Sequence, residues 1–185
     1  VIEGIIGVGK STLCHALGEH LEGSRVYLEP TDHPYLSLFY QDMSRWALEM
    51  QFYLMARRFQ QHQEAIRYEW AQGIQTIHDR SIWGDRAFAD MLRKDKLISE
   101  LGYSSYMMHR ECMLGFLLVP QIVIWLDAPP DVCLKRIHKR DRDCESGITL
   151  DYLEALRDSY ASIIKELENK GSYVLEYDWT DIPSV

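Results

Sequence analysis

The chain has 185 residues, of which 46% are hydrophobic, and its formal net charge at pH 7 is -8. This length and composition predict one domain over residues 1–185 with a substantial core, and no apolar run is long enough to suggest a membrane-spanning helix. The acidic balance argues against a nucleic-acid partner, so an anion site needs a local cluster of basic residues. The four cysteines show no C-x-x-C spacing, which favours reduced thiols in an intracellular protein.

The first residues of the chain carry a phosphate-binding pattern. Val1-Ile2-Glu3 is typical of the end of a strand, and it runs into Gly4-Ile5-Ile6-Gly7-Val8-Gly9-Lys10-Ser11, which fits G-x-x-x-x-G-K-S/T. In such a loop the backbone N–H groups surround the phosphates, the lysine reaches the β- and γ-phosphates, and the serine hydroxyl ligates magnesium. A glycine-rich turn with a chance lysine is the alternative. The helical spacing of apolar residues that follows favours the loop, so we predict a site for ATP and Mg²⁺ made by Gly4, Gly7, Val8, Gly9, Lys10, Ser11 and Thr12.

Strand and helix patterns alternate along the rest of the chain. Strands are predicted at Ser24 to Glu29, Gly73 to Asp79, Pro120 to Asp127 and Ser172 to Tyr177. Helices are predicted at Thr12 to Leu21, Pro34 to Gln41, Ser44 to Ala71, Asp85 to Leu92, Ser99 to Leu118, Asp131 to Lys139 and Leu150 to Asn169. With the strand before the phosphate loop, this order predicts an α/β fold of the P-loop kinase type, a doubly wound five-stranded parallel sheet flanked by helices. Ligands of such a sheet gather at the carboxyl ends of its strands.

Both termini are expected to be truncated. Val1 is predicted to lie inside a strand, and the chain stops soon after its last strand, where a closing helix would follow. We expect a cytoplasmic protein, and a mitochondrial location stays open because an upstream targeting segment would not be seen.

Two predicted strands end in acidic residues at the edge of the sheet that carries the phosphate loop. Glu29 could accept a proton from an attacking hydroxyl, and a plain surface glutamate explains its position equally well. Asp79 is placed like the acid that holds magnesium in P-loop enzymes, and Arg80 could face the reacting phosphate or Glu29. A structural Asp-Arg pair at the start of the next helix is the alternative.

Basic residues cluster after the fourth predicted strand. Arg136 and Arg140 are one helical turn apart, and with Arg142 they could close over a triphosphate as a lid at about residues 136–147. Acidic residues are interleaved with them, which suggests a lid that is electrostatically balanced until substrate arrives. A solvated basic helix end is the alternative.

The long predicted helix between the second and third strands has polar residues on an apolar face. Gln51, Leu54 and Arg58 share this face, where Gln51 could read the edge of a nucleobase and Arg58 could do so if it pairs with Asp85. An amphipathic helix with two tolerated polar positions is the alternative.

Taken together and in this order, these residues resemble the deoxyribonucleoside kinases related to deoxycytidine, deoxyguanosine and deoxyadenosine kinase. The resemblance spans essentially the whole chain. It rests on the phosphate loop, Leu28-Glu29-Pro30, Tyr40 followed by Trp46 and Met50-Gln51, Asp79-Arg80-Ser81 with Asp85-Arg86, and Arg136 to Arg142 followed by Glu145 and Gly147.

The resemblance implies transfer of the γ-phosphoryl group of ATP to the 5′-hydroxyl of a deoxynucleoside. Glu29 then matches the general base, and Arg80 matches the residue that supports the reacting oxygens. Lys10 and the lid arginines Arg136, Arg140 and Arg142 match groups that stabilise charge during transfer, and Ser11 and Asp79 match the magnesium ligands.

The resemblance also assigns the nucleoside-binding residues. Tyr40 and Glu145 match the pair that hydrogen-bonds the 3′-hydroxyl, and Gln51 matches the base-reading glutamine in a pocket that Trp46 and Leu54 line. Cys144 stands where some relatives have a second acid.

Arg58 with Asp85 resembles kinases of deoxyadenosine, deoxyguanosine or deoxycytidine more than thymidine kinases. This favours a purine deoxynucleoside, and deoxycytidine or broad specificity stays open. A thymidylate-type monophosphate kinase is less well supported, because Glu29 and Glu145 would repel an acceptor phosphate. A module that binds a triphosphate without transferring it is the remaining alternative. The resemblance also implies a homodimer and feedback inhibition by a deoxynucleoside triphosphate.

Overall fold

Five parallel strands and seven helices alternate along the part of the chain described by the computed structural model, which is residues 1–30, 33–142, 145 and 147–181. The strands are β1 (Ile2–Glu3), β2 (Arg25–Tyr27), β3 (Thr76–His78), β4 (Ile122–Asp127) and β5 (Tyr173–Asp178). The helices are α1 (Lys10–His20), α2 (Pro34–Gln41), α3 (Met43–Gln72), α4 (Ile82–Lys94), α5 (Glu100–Leu114), α6 (Pro130–Arg140) and α7 (Leu150–Asn169).

The strands pair in two groups that meet at β1. The order β1-β4-β5 forms one group and β2-β3 the other, with every pair parallel. A parallel bridge between Ile2 and Asp79 joins them, and the backbone N–H of Arg80 donates to the carbonyl of Ile2 at 2.9 Å. The resulting order is β2-β3-β1-β4-β5. After β1, the chain places β2 and β3 on one side of it and then β4 and β5 on the other side. The topological switch point therefore lies at β1, directly before the phosphate loop. The predicted doubly wound α/β sheet is confirmed.

Several element boundaries differ from the prediction for local reasons. Helix α4 begins at Ile82 rather than Asp85, because the Ser81 side chain accepts hydrogen bonds from the backbone N–H groups of Trp83 and Gly84 at 3.2 and 3.1 Å. Helix α5 ends at Leu114, four residues before the predicted end at Leu118, with Gly115 as its C-cap. Strand β2 ends at Tyr27, so Glu29 lies in the loop beyond it.

Helix α3 carries much of one wall of the site. The Asp42 side chain accepts from the backbone N–H of Arg45 at its start, and Gly73, in the left-handed conformation with φ of 67°, ends it. Gln51, Leu54 and Arg58 are all buried on its inner face, as their helical spacing predicts. Two of these buried side chains, Gln51 and Arg58, are polar, and buried polar groups normally need hydrogen-bond partners.

The core is formed where the inner faces of the helices meet the sheet, and Trp83, Tyr106 and Tyr160 are among its largest fully buried side chains. In the stretches that the structure describes, no helix combines the length and apolarity needed to cross a bilayer. The expectation of a substantial core is met.

Candidate active site

A cavity of about 460 Å³ opens beyond the carboxyl ends of β1 and β2 and brings most of the predicted site residues together. The predicted residues on its wall are Gly7, Gly9, Lys10, Ser11, Thr12, Glu29, Tyr40, Leu54, Arg58, Arg80, Arg136, Arg140, Arg142 and Glu145. Most of the phosphate loop and several of the predicted nucleoside-binding residues therefore face one space. The predicted residues that are not on the wall are Gly4, Val8, Trp46, Gln51, Asp79 and Asp85.

The phosphate loop has the backbone that its glycines predict. Gly7 and Gly9 have φ of 80° and 110°, a region that side chains other than hydrogen rarely allow. A Cβ atom on Gly7 would lie 2.6 Å from the carbonyl oxygen of Cys133, because the loop packs directly against α6. Lys10 begins α1, is buried, and donates to the carbonyl of Ile5 at 3.2 Å. Burial and the nearby charge of Arg80 lower the pKa of its ammonium group.

Ser11 and Asp79 offer oxygen ligands beside this loop. The Ser11 hydroxyl donates to Oδ2 of Asp79 at 2.5 Å, and Oδ1 of Asp79 is buried without a hydrogen-bond partner among the described residues. A hydroxyl and one carboxylate suit Mg²⁺, which takes oxygen ligands and commonly binds through one or two carboxylates together with phosphates. The described stretches contain no group of three His, Cys, Asp or Glu side chains that could hold a metal ion.

Glu29 is held by two arginines from different elements. Arg58 Nη2 and Arg80 Nε both donate to Oε1 of Glu29, at 2.6 and 3.1 Å. Burial alone would raise the pKa of Glu29, but the positive charges of Arg80, Arg58 and Lys10 outweigh it and lower the pKa to about 2. Both bonds end on Oε1, so Oε2 is left to meet an incoming hydroxyl. Glu29 is therefore a charged hydrogen-bond acceptor inside the cavity.

Arg58 also pairs with Asp85, and this pair was anticipated from the sequence. Arg58 Nη1 donates to Oδ1 of Asp85, and the hydroxyl of Tyr106 donates to Oδ2 of Asp85 at 3.1 Å. Asp85 is completely buried behind Arg58, so it acts on the cavity through Arg58 rather than from the wall. The bridge from Arg58 to Glu29 was not predicted, because nothing in the spacing of these two residues indicates that they meet.

Gln51 lies in the core beside the cavity. Its side chain is fully buried, and neither Oε1 nor Nε2 has a hydrogen-bond partner among the described residues. Its neighbours Met50 and Leu54 line the cavity. An unpaired buried amide costs roughly 1–3 kcal/mol unless a ligand satisfies it, so Gln51 is suited to a polar ligand. Trp46, which was predicted to line the pocket, does not line the cavity; it is half-buried, with the Arg45 guanidinium 4.3 Å from its ring centroid.

The three lid arginines have two different arrangements. Arg140 donates from Nε and Nη2 to the two oxygens of Glu145 at 2.8 and 2.7 Å, and Arg142 donates to Oε1 of Glu145 at 3.3 Å. These pairs agree with the expected charge balance of the lid. They also engage Glu145, which was assigned with Tyr40 to the 3′-hydroxyl. Cys144 lies outside the described residues.

Arg136 does not bind Glu145 as Arg140 and Arg142 do. Its Nη1 donates to the carbonyl of Val8 at 3.0 Å, and its Nη2 donates to the carbonyls of Trp179 and Thr180 at 3.0 and 2.8 Å. It thus joins the phosphate loop to the segment that follows β5.

Comparison with known proteins agrees with this geometry. The profile of the deoxynucleoside kinase family matches residues 1–183. The chain belongs to the deoxynucleoside kinase family. It is 39% identical over 186 residues to a deoxyguanosine kinase of Dictyostelium discoideum and 34% identical over 180 residues to a deoxyadenosine kinase of the same organism. These matches cover 100% and 97% of the chain but only 65% and 71% of the two kinases, so the chain spans about two thirds of their length.

Solved structures of the deoxynucleoside kinase family share the fold. A deoxyadenosine kinase from M. mycoides with bound dATP superposes with a TM-score of 0.83 at 26% identity, covering 96% of this chain and 89% of that one. The same enzyme with bound dCTP also has a TM-score of 0.83, at 24% identity over 98% of this chain and 91% of that one.

Eight further residues line the cavity, and the sequence assigned none of them a role. These are Ile6, His15, Leu28, Pro30, Leu36, Met50, Phe88 and Tyr152. Tyr152 lies in the first turn of α7, directly after the lid, and no motif marks it. The apolar residues among them form the kind of apolar lining that small-molecule sites usually have. In the sequence, an apolar residue that lines a pocket cannot be told from one that packs in the core.

We predict that Gly7→Ala will weaken binding of magnesium ATP at least about tenfold, because the new Cβ would collide with the Cys133 carbonyl. Gly23→Ala is the matched control, since Gly23 has a similar φ of 77° but no atom within 4 Å of an added Cβ. Titration calorimetry and thermal unfolding would be measured for both variants. Equal ATP affinity in Gly7→Ala and Gly23→Ala would contradict the close packing of the loop on α6.

Proposed function

We propose that this chain transfers the γ-phosphoryl group of ATP to the 5′-hydroxyl of a deoxynucleoside, with deoxyguanosine or deoxyadenosine as its preferred acceptor. The observation that carries the proposal is the ionised Glu29, which shares one cavity with the phosphate loop. A triphosphate site alone would fit many proteins. A hydroxyl acceptor, however, requires a hydrogen-bond acceptor opposite the γ-phosphate, and Glu29 is that group.

Glu29 acts on the hydroxyl mainly by orienting it. With a pKa of about 2 it is a weak base toward an unreacted hydroxyl, so it first accepts a hydrogen bond from the 5′-hydroxyl. As the bond from the 5′-oxygen to the γ-phosphorus forms and the bond to the β-phosphate oxygen breaks, the hydroxyl proton becomes acidic and passes to Glu29. Positioning of this kind supplies most of the catalysis in phosphoryl transfer.

Positive groups around the phosphates stabilise the charge that moves during transfer. Lys10 and Arg80 lie on the cavity wall beside the phosphate loop, and Arg140 and Arg142 lie on the lid side. The two lid arginines must exchange part of their bonding to Glu145 for bonds to phosphate. Magnesium held by Ser11 and Asp79 would neutralise the β- and γ-phosphates.

A purine deoxynucleoside is the proposed acceptor because of the polar groups on and beside the part of the cavity next to α3. Gln51, in the core beside the cavity, has two unpaired polar atoms, and Arg58, fixed by Asp85, lines the cavity together with the apolar Leu54. The two Dictyostelium relatives act on deoxyguanosine and deoxyadenosine. Deoxycytidine is the second candidate, because a Bacillus subtilis relative at 34% identity is a deoxyadenosine/deoxycytidine kinase.

Regulation and assembly are part of the same proposal. A deoxynucleoside triphosphate would inhibit by placing its sugar and base in the nucleoside half of the cavity and its phosphates on the phosphate loop. The dATP and dCTP bound to the M. mycoides enzyme support such binding. We also propose a homodimer and a cytoplasmic location, for which family membership is the support.

The proposal is tested by initial rates of phosphoryl transfer from magnesium ATP to four deoxynucleosides and their monophosphates under identical conditions. We expect deoxyguanosine or deoxyadenosine to give the highest kcat/KM. Efficient transfer to thymidine alone would overturn the base assignment, and transfer only to monophosphates would overturn the acceptor. Binding of ATP without any transfer would identify a regulatory module instead.

We predict that Glu29→Gln will lower kcat by roughly 10²- to 10⁴-fold, because the amide keeps the shape but cannot take the proton. The KM of the deoxynucleoside should change little. Glu64→Gln is a suitable control, since Glu64 is a half-buried glutamate that also pairs with an arginine, Arg25, away from the cavity. A near-normal kcat in Glu29→Gln would remove Glu29 from the base role.

A further inference from the structure

Arg80 is held in a backbone conformation that needs support. Its φ is 74°, in the left-handed region that a non-glycine residue keeps only where its surroundings hold it, and its side chain is fully buried. Arg80 Nε donates to Glu29 at 3.1 Å, and its Nη1 donates to the carbonyl of Gly4 at 3.1 Å. Nη2 is buried and has no hydrogen-bond partner among the described residues. Arg80 is also one of the residues that line the cavity, so its alignment bears directly on the site.

A tyrosine from α7 completes the bonding of Arg80. Arg80 Nη1 also donates to the hydroxyl oxygen of Tyr160, and this hydroxyl in turn donates to Oε2 of Glu3 at 3.1 Å. Neither Tyr160 nor Glu3 lines the cavity, and both are completely buried. Tyr160 is therefore one layer behind the site, between a carboxylate and the guanidinium that contacts Glu29.

Glu3 fixes the direction of that tyrosine hydroxyl. Its Oε1 accepts from the backbone N–H and the hydroxyl of Ser81 at 2.9 and 2.5 Å, which anchors the carboxylate between β1 and the start of α4. A Cβ atom on Gly84 would lie 2.2 Å from Oε2 of Glu3, so the helix leaves room for this carboxylate only because position 84 is glycine. The hydroxyl of Tyr160 thus donates to an immobile acceptor and presents its lone pair to Arg80.

We infer that Tyr160 is a positioning residue for phosphoryl transfer, whose hydroxyl, oriented by Glu3, aligns the Arg80 guanidinium with Glu29 and the reacting oxygens. This inference rests on the proposed function for its kinetic consequences. Phe88 packs against the same guanidinium, with the Arg80 Cζ 4.7 Å from its ring centroid. Because Arg80 acts on the transition state more than on the bound substrates, loss of its alignment should affect kcat more than KM.

The test compares Tyr160→Phe with Tyr103→Phe. Tyr103 is the matched control because its hydroxyl also donates to a carboxylate, that of Asp90, but on α5 and α4 away from the cavity. We expect Tyr160→Phe to lower kcat by roughly 10- to 100-fold, because Arg80 loses a hydrogen bond to its charged guanidinium. The KM values of both substrates should stay within about twofold of wild type. Tyr103→Phe should leave kcat unchanged.

A second readout follows Arg80 directly. In the wild-type protein the Nε–H proton of Arg80 should exchange slowly with solvent in NMR spectra, and in Tyr160→Phe it should exchange fast, with Tyr103→Phe resembling wild type. An unchanged kcat with retained slow exchange in Tyr160→Phe would overturn the inference. Equal kcat losses in the two variants would overturn it as well, because they would reflect general packing.

Two other results, a variant that does not fold and a wild-type protein that transfers no phosphoryl group, each have their own measurement. If Tyr160→Phe shows no cooperative unfolding, Glu3→Gln replaces it, and the same fall in kcat is expected because an amide replaces the carboxylate that orients the hydroxyl; a normal kcat in Glu3→Gln would overturn the inference. If wild-type protein transfers no phosphoryl group, the proposed function fails. The exchange of the Arg80 Nε–H proton still tests the tether in that case.

Discussion

Two buried arginines that converge on one carboxylate determine how this site is built. The side chains of Arg58 and Arg80 are 2% and 0% exposed, and Glu29 is the acceptor that they share. Removing one partner of a buried ion pair commonly costs about 3–5 kcal/mol, so these side chains are strongly constrained to stay together. Each arginine also needs a second acceptor, which Asp85 supplies to Arg58 and the Tyr160 hydroxyl supplies to Arg80. The charge arrangement thus ties α3, α4 and α7 to the loop after β2.

The sheet order explains why these groups meet beside the triphosphate. Strand β1 lies between the two groups of strands, so the phosphate loop leaves the sheet at its switch point. Strand β3 is next to β1, which brings Asp79 to Ser11 and Arg80 to Gly4. Glu29 follows β2, one strand further away, and lines the same cavity as the phosphate loop. Arg80 bonds both Glu29 and the carbonyl of Gly4, so one side chain connects the two parts of the site.

The parts of this arrangement that depend on local sequence were predictable, and the parts that depend on tertiary pairing were not. The glycines and Lys10 define the phosphate loop because few other residues permit that backbone, and the alternation of strands and helices indicates the sheet. Helical spacing placed Arg58 on the inner face of the long helix, and the family resemblance indicated its pairing with Asp85. By contrast, the bridge from Arg58 to Glu29, the tether of Arg136 to Val8, and the Tyr160-Glu3 layer join residues far apart in the chain, and no spacing rule connects them.

The central claim is that Glu29 is ionised in the folded protein because Arg58 and Arg80 hold it. The most direct measurement is the side-chain carboxyl ¹³C chemical shift of Glu29 as a function of pH, with the signal assigned by its absence in Glu29→Gln. The structure predicts a pKa of about 2, so the signal should stay at its carboxylate position from neutral pH down to about pH 3.5 while exposed glutamates titrate near their usual values. A titration step at or above the ordinary value of 4.5 would contradict the account.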